Sequence, residues 1–165
     1  MKRLITLLVI VTLFISANSA FGQELPPLNK KIIDYVTTVI GKKVDRGECW
    51  DLANRALTDN NADWDGEYKY GRRIDPKKDI VMPGDIIQFE NVKVVYKKDN
   101  TTTTEMMPHH TAIVYKVIST GVYELAHQNT GFSGRKVGLS EFNLENMVKG
   151  RIYFYRPISK STSTH

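Results

Sequence analysis

Apolar residues recur at helical spacing in two places early in the chain and at strand spacing over most of the rest. Ile32, Ile33, Tyr35, Val36, Val39 and Ile40 fall on one stripe that predicts a helix opening at about Asn29, with Gly41 as its stop. Leu52, Ala53, Ala56 and Leu57 form a second stripe and predict a helix over residues 48–57, with Cys49 in its first turn. After Pro83-Gly84 the pattern changes. Residues 86–90, 92–98, 111–118, 122–129 and 151–156 are rich in β-branched and aromatic side chains and are bounded by turn clusters such as Asp99-Asn100 and Thr120-Gly121, so they read as strands. Residues 101–104 predict an exposed hairpin tip. Ser140, as an N-cap, predicts a short helix through Met147 that Gly150 ends.

Between the second helix and the first strand, residues 58–79 are polar and punctuated by Asn60, Asn61, Gly66, Gly71 and Pro76. They predict a long loop, and its aromatics Trp64, Tyr68 and Tyr70 either wall a substrate groove or lie flat against the core. Helices first and an antiparallel sheet afterwards make an α+β domain over residues 32–158. A lead-in over residues 23–31 precedes it, and a Ser/Thr-rich tail over residues 159–165 is expected to be disordered.

The first 22 residues read as a secretory signal. Lys2 and Arg3 precede an apolar stretch over residues 4–15, and Ala20-Phe21-Gly22 is a small-residue cleavage site, which places the mature start at Gln23. An uncleaved short N-terminal anchor is the other reading, although that stretch falls short of the ~20 residues a span needs and no later segment approaches that length. No cysteine lies near the cleavage site, which excludes a lipoprotein anchor. An exported protein, periplasmic or secreted and with no stable membrane anchor after cleavage, is therefore expected. Removing Lys2 and Arg3 takes the net charge from +5 to +3 and leaves 143 of the 165 residues, a normal size for one domain with a core. That mild positive charge favours an anionic surface, whether a cell wall or a membrane face. The basic residues are scattered in pairs such as Lys42-Lys43 and Arg72-Arg73, a solvated-face pattern that gives no nucleic-acid block.

Export makes the single cysteine informative. Cys49 has no partner for a disulfide, so it is a reactive thiol, an inert core residue, or a link to another molecule. A thiol attacks as thiolate, and a helix N-terminus or a neighbouring imidazolium lowers its pKa, whereas Glu48 and Asp51 would raise it if they faced it. His109 and His110 open a strand and point to opposite faces. His110, on the face of Ala112 and Val114, is the expected base because small Ala112 suits a packed helix start. On the next strand His127 and Asn129 share a face, and either supplies the polar group that orients the base. The histidines read as a zinc site only weakly, since adjacent ones diverge and no HExxH spacing occurs; neither metal nor cofactor is expected.

In order along the chain, GECWDLA, PGDIIQFE, HHTAIV and AHQN resemble the CHAP group of cysteine, histidine-dependent amidohydrolases and peptidases and its NlpC-type relatives. The likeness is closest to a divergent cysteine-proteinase-fold module of some fungal and plant proteins, whose final strand ends much like GRIYFYRPI, and it spans residues 32–158. The resemblance implies a compact papain-like fold, Cys49 as nucleophile, His110 as base, and a peptidoglycan or other peptide substrate. His127 falls where the family usually has a glutamate, Asn129 matches its polar position, and Glu48 stands where a glutamine is common. A non-catalytic module that binds peptide or glycan on the same fold is the competing expectation.

Overall fold

The structure, a computed structural model, describes residues 24–161; the signal segment over residues 1–22 lies outside the described residues. Two helices, α1 (Pro27–Val39) and α2 (Cys49–Thr58), pack on one face of a six-stranded sheet. The strands are β1 (Arg72–Ile74), β2 (Ile86–Lys98), β3 (Thr101–Ser119), β4 (Val122–His127), β5 (Gly138–Asn143) and β6 (Met147–Arg156). Their order is β1-β6-β2-β3-β4-β5, with every pairing antiparallel. This is the α+β, papain-like arrangement expected from the sequence.

Helix α1 starts two residues earlier than its stripe suggested because Pro27 at the first turn forfeits no hydrogen bond, and Leu28 and Asn29 are already buried. The domain therefore takes in most of the expected lead-in. At the other end, within the tail expected to be disordered, Ser159 bridges Ala62 and the Lys160 amide donates to Asn61 O at 3.2 Å, while residues 162–165 lie outside the described residues.

Several strand boundaries differ from expectation for identifiable reasons. Residues 86–90 and 92–98 are one strand, whose pairing with β6 shifts register at Asn91, with φ of 52°, and again between Lys93 and Val94. Gly150 serves the first of these shifts and does not stop a helix, since a Cβ there would meet Asn91 O and the Val92 Cα at 2.5 Å. Residues 101–104 pair with 95–98 and leave only Asp99-Asn100 as the tip. The expected helix from Ser140 is instead β5, followed by a single 3-10 turn at Leu144–Asn146. A helix of that length has little intrinsic stability, and pairing Tyr123 with Phe142 buries both rings. The expected loop over residues 58–79 contributes the short edge strand β1.

The sheet carries a core on each face. On one, Ile86, Ile113 and Ala126 meet Ile32, Val36, Leu52, Ala56 and Leu57 of the helices. On the other, Phe89 of β2 meets Phe142 of β5 with ring centres 5.1 Å apart. Those strands are three steps apart, about 14 Å in a flat sheet, so the sheet curls around this second core.

PGDIIQFE is architectural. A Cβ on Gly84 would meet Asn29 backbone atoms at 2.7–2.8 Å. Asp85, fully buried, accepts from Arg156 Nε and Nη2 at 3.0 and 2.8 Å, from Asn29 Nδ2 at 2.9 Å and from the Met82 amide at 2.8 Å. Asp85→Ala leaves a largely buried guanidinium without its counter-charge, so urea unfolding is expected to show a loss of about 3 kcal/mol. A loss under about 1 kcal/mol would mean this junction does not clamp α1 to the sheet.

Candidate active site

The capping box that starts α2 also places Cys49. Glu48 is the N-cap, its amide donates to Asp51 Oδ2 at 3.0 Å, and Asp51 Oδ1 accepts from Arg46 Nη2 at 2.6 Å. Gln128, the residue after β4, clamps the incoming loop: its Nε2 donates to Val44 O at 3.1 Å and Glu48 O at 2.8 Å, and its Oε1 accepts from the Val44 amide at 3.2 Å. The β3–β4 ladder begins at Ile113 and Ala126, and the Thr111 amide just beyond it is directed at the Cys49 sulfur.

Burial pushes the Cys49 thiol up from its ordinary value. The amides of Thr111, Trp50 and Cys49 itself pull the other way, and the Glu48 carboxylate adds to the rise. The resting group is a neutral thiol at physiological pH. Glu48 is itself held by Arg135 Nη1 at 3.0 Å and by Asn129 Nδ2 at 2.8 Å. Asn129 therefore does not orient His110 as expected from the sequence; its amide is committed to Glu48, from a left-handed backbone with φ of 61°.

Cys49, His109 and His110 all border one cleft of about 580 Å³, which Met106 and Phe132 flank with half-exposed apolar side chains. Among the described residues no hydrogen bond joins the thiol to either imidazole. The helices pack on the Thr111 and Ile113 face of β3, which is the face of His109. Ala112 therefore does not lie beside the helix start, as expected from the sequence: it lies in the second core, and His110 borders the cleft from that inner side. There its Nε2 lies 2.9 Å from His127 Nδ1, and His127 Nε2 lies 2.8 Å from Ser140 Oγ. Burial, with a smaller contribution from His109, pushes His110 down to about 4; burial and His110 push His127 down to about 3. Both rings are neutral at pH 7.

His109 has a different setting. Glu90 carboxylate oxygens lie 3.0–3.1 Å from its Nδ1, and Tyr68 meets its ring edge to face at 4.4 Å. Cys49, His109 and Tyr68 also border a second cleft of about 610 Å³, together with Arg46 and Glu67. Of the three expected groove aromatics only Tyr68 is there. Tyr70 is fully buried, with its hydroxyl near Thr111 Oγ1 at 2.9 Å and donating to Gln88 Oε1 at 3.1 Å, and Trp64 stacks on it at 5.9 Å. Sequence reasoning missed Ser140, Met106 and Phe132. The period-two placement of Ser140 and Phe142 was the available signal for the first. No group of three His, Cys, Asp or Glu among the described residues is arranged to hold a metal ion, and no described helix is long and apolar enough to cross a membrane.

A comparison with curated proteins returned no match. Among solved structures, the crystal structure of Ly7917 superposes with a TM-score of 0.49 at 15% identity, covering 78% of this chain and 62% of that one. Ly7917 with the hydrolyzing product of MDP gives a TM-score of 0.43 at 17% identity, covering 78% and 63%. This chain spans less than two thirds of those chains. A family model, the AIM3/BBC1 cysteine proteinase-fold domain, matches residues 26–165. That match takes in both helices, all six strands and the cleft, and the chain belongs to the AIM3/BBC1 cysteine proteinase-fold family.

Proposed function

We propose that this chain is an exported cysteine amidase or peptidase that hydrolyses amide bonds in peptidoglycan peptides or a related peptide. The observation that carries the reading is the shared cleft, bordered by a thiol on the first turn of a helix and by a buried neutral imidazole whose Nε2 lies against a second ring. The signal-like segment over residues 1–22 supports export.

In this reading Cys49 Sγ attacks the carbonyl carbon as its proton passes to His110 Nδ1, while His110 Nε2 stays against His127. The Cys49 backbone amide donates to the oxyanion. The C–N bond then breaks, the proton on His110 goes to the leaving amine, and a thioester remains on Cys49. Water attacks the thioester, His110 takes up the water's proton and returns it to the sulfur, and the carboxylate departs. His110 is taken as the base because the motif resemblance places it there; His109, whose Nδ1 is oriented by Glu90 and which borders both clefts, is the alternative base that substitution tests. Two clefts meeting at Cys49, one flanked by Met106 and Phe132 and the other by Arg46 and Glu67, suit an extended peptide crossing the thiol.

The proton acceptor is lost only when His110 is protonated, so kcat/KM is expected to fall on the acid side near pH 4. Purified wall and muropeptides digested with the enzyme are expected to release new amino groups without new reducing ends. Reducing ends in place of amines, or no release from any peptide substrate, would overturn the assignment. A second reading, a non-catalytic peptide- or glycan-binding module, draws on the neutral thiol and its lack of an imidazole hydrogen bond among the described residues. It predicts muropeptide binding by wild type and Cys49→Ala alike, with no product from either.

A further inference from the structure

Ser140 is the end of a three-member chain that begins at the cleft. His110 Nε2, His127 Nδ1, His127 Nε2 and Ser140 Oγ are joined by contacts of 2.9 and 2.8 Å. Each neutral imidazole carries one proton, so the two contacts leave two consistent arrangements. In one, the protons run outward: His110 Nε2–H donates to His127 Nδ1, and His127 Nε2–H donates to Ser140 Oγ. His110 Nδ1 then bears the lone pair. In the other they run inward: the Ser140 hydroxyl donates to His127 Nε2, His127 Nδ1–H donates to His110 Nε2, and His110 carries its proton on Nδ1, where it accepts nothing.

Only the outward arrangement makes His110 a base. We propose that Ser140 is a positioning residue, whose oxygen accepts from His127 Nε2–H, selects the outward arrangement and so leaves the lone pair of His110 on Nδ1, the nitrogen that His127 does not hold. Ser140 is partly exposed, so its hydroxyl can donate a hydrogen bond to solvent while its oxygen accepts from His127. His127 is nearly fully buried against Phe132 and has no such access to water. A neutral ring can thus take the position of a carboxylate, provided a fixed acceptor sets its tautomer. This inference rests on the proposed role of His110.

The test uses the full chain and two substitutions, Ser140→Ala, which removes the acceptor, and Ser140→Thr, which retains it. Long-range nitrogen–proton correlation spectra at pH 7 report which ring nitrogens carry protons, without any turnover. Wild type and Ser140→Thr are expected to hold both His110 and His127 protonated on Nε2, while Ser140→Ala shifts a substantial fraction of His127 to Nδ1–H. Where a hydrolysed peptide is in hand, kcat is expected to fall about tenfold in Ser140→Ala at unchanged KM and to recover in Ser140→Thr. His127 protonated on Nδ1 in wild type, or an Nε2–H ring unaffected by Ser140→Ala, overturns the proposal. Tautomers as described in a protein that hydrolyses no peptide leave the Ser140 assignment standing and remove the hydrolase reading.

Discussion

Removing the Cys49 sulfur or the His110 ring is expected to lower amide hydrolysis by on the order of 10⁴-fold or more, and removing both is expected to cost little beyond either alone. The two groups act as one device. Without the sulfur no thioester forms, and without the ring the thiol, already held neutral by burial and by Glu48, has no acceptor for its proton. Cys49→Ala and His110→Gln therefore share one loss, and the double variant measures their coupling. His109→Gln separates the two imidazoles that border the cleft: with His110 as the base, His109 is expected to matter by less than about tenfold. Initial rates on one peptide substrate, with unfolding curves for each variant, settle both points. A His109→Gln loss as large as that of His110→Gln would move the base to the helix-facing side of β3.

Between pH 7 and pH 5 the protein is expected to lose roughly 4 kcal/mol of unfolding free energy through His110 and His127. In the unfolded chain both rings protonate as pH falls through 6.5. In the folded protein they stay neutral until about 4 and about 3. Over that window the unfolded state binds more protons, so stability falls with acidification, by about 1.4 kcal/mol per ring per pH unit. The loss stops growing as the folded rings take up protons, near pH 4 for His110 and near pH 3 for His127. Asp51 and Asp79, both held low, contribute their own loss only in the more acidic carboxylate range. Urea unfolding at the two pH values measures the effect, and His127→Gln is expected to lose about half as much as wild type. Equal wild-type stability at pH 7 and pH 5 would mean that the rings are hydrated, not held dry behind Phe89 and Phe132.

How much of this was legible in the sequence depended on whether the signal was local. The stripe Leu52, Ala53, Ala56 and Leu57 marked α2 because one face of a helix repeats within a few residues, and Cys49 fell at its start for the same reason. Segment β5 was illegible because Ser140, Glu141 and Asn143 suit a capped helix locally, and only the pairing partner β4, far off in sequence, makes them a strand. The period of two correctly parted His109 from His110. It could not say which face the helices cover, because that is decided by Ile113 and Ala126 meeting Leu52 and Ala56. Asn129 and Tyr70 were undecided for a related reason: residue type left either His127 or Asn129 to orient the base and left Tyr70 at the groove or against the core, and their partners Glu48, Thr111 and Gln88 decided their places.

Cys49 is the only cysteine in the chain, so its chemical state can be counted in the intact protein. Partial alkylation with iodoacetamide, followed by mass measurement of the modified fraction and assay of peptide hydrolysis in the same sample, tests the nucleophile directly. Residual hydrolysis is predicted to fall in proportion to the modified fraction and to vanish at one equivalent. Hydrolysis that persists in fully alkylated protein would contradict the assignment of Cys49 as the attacking group.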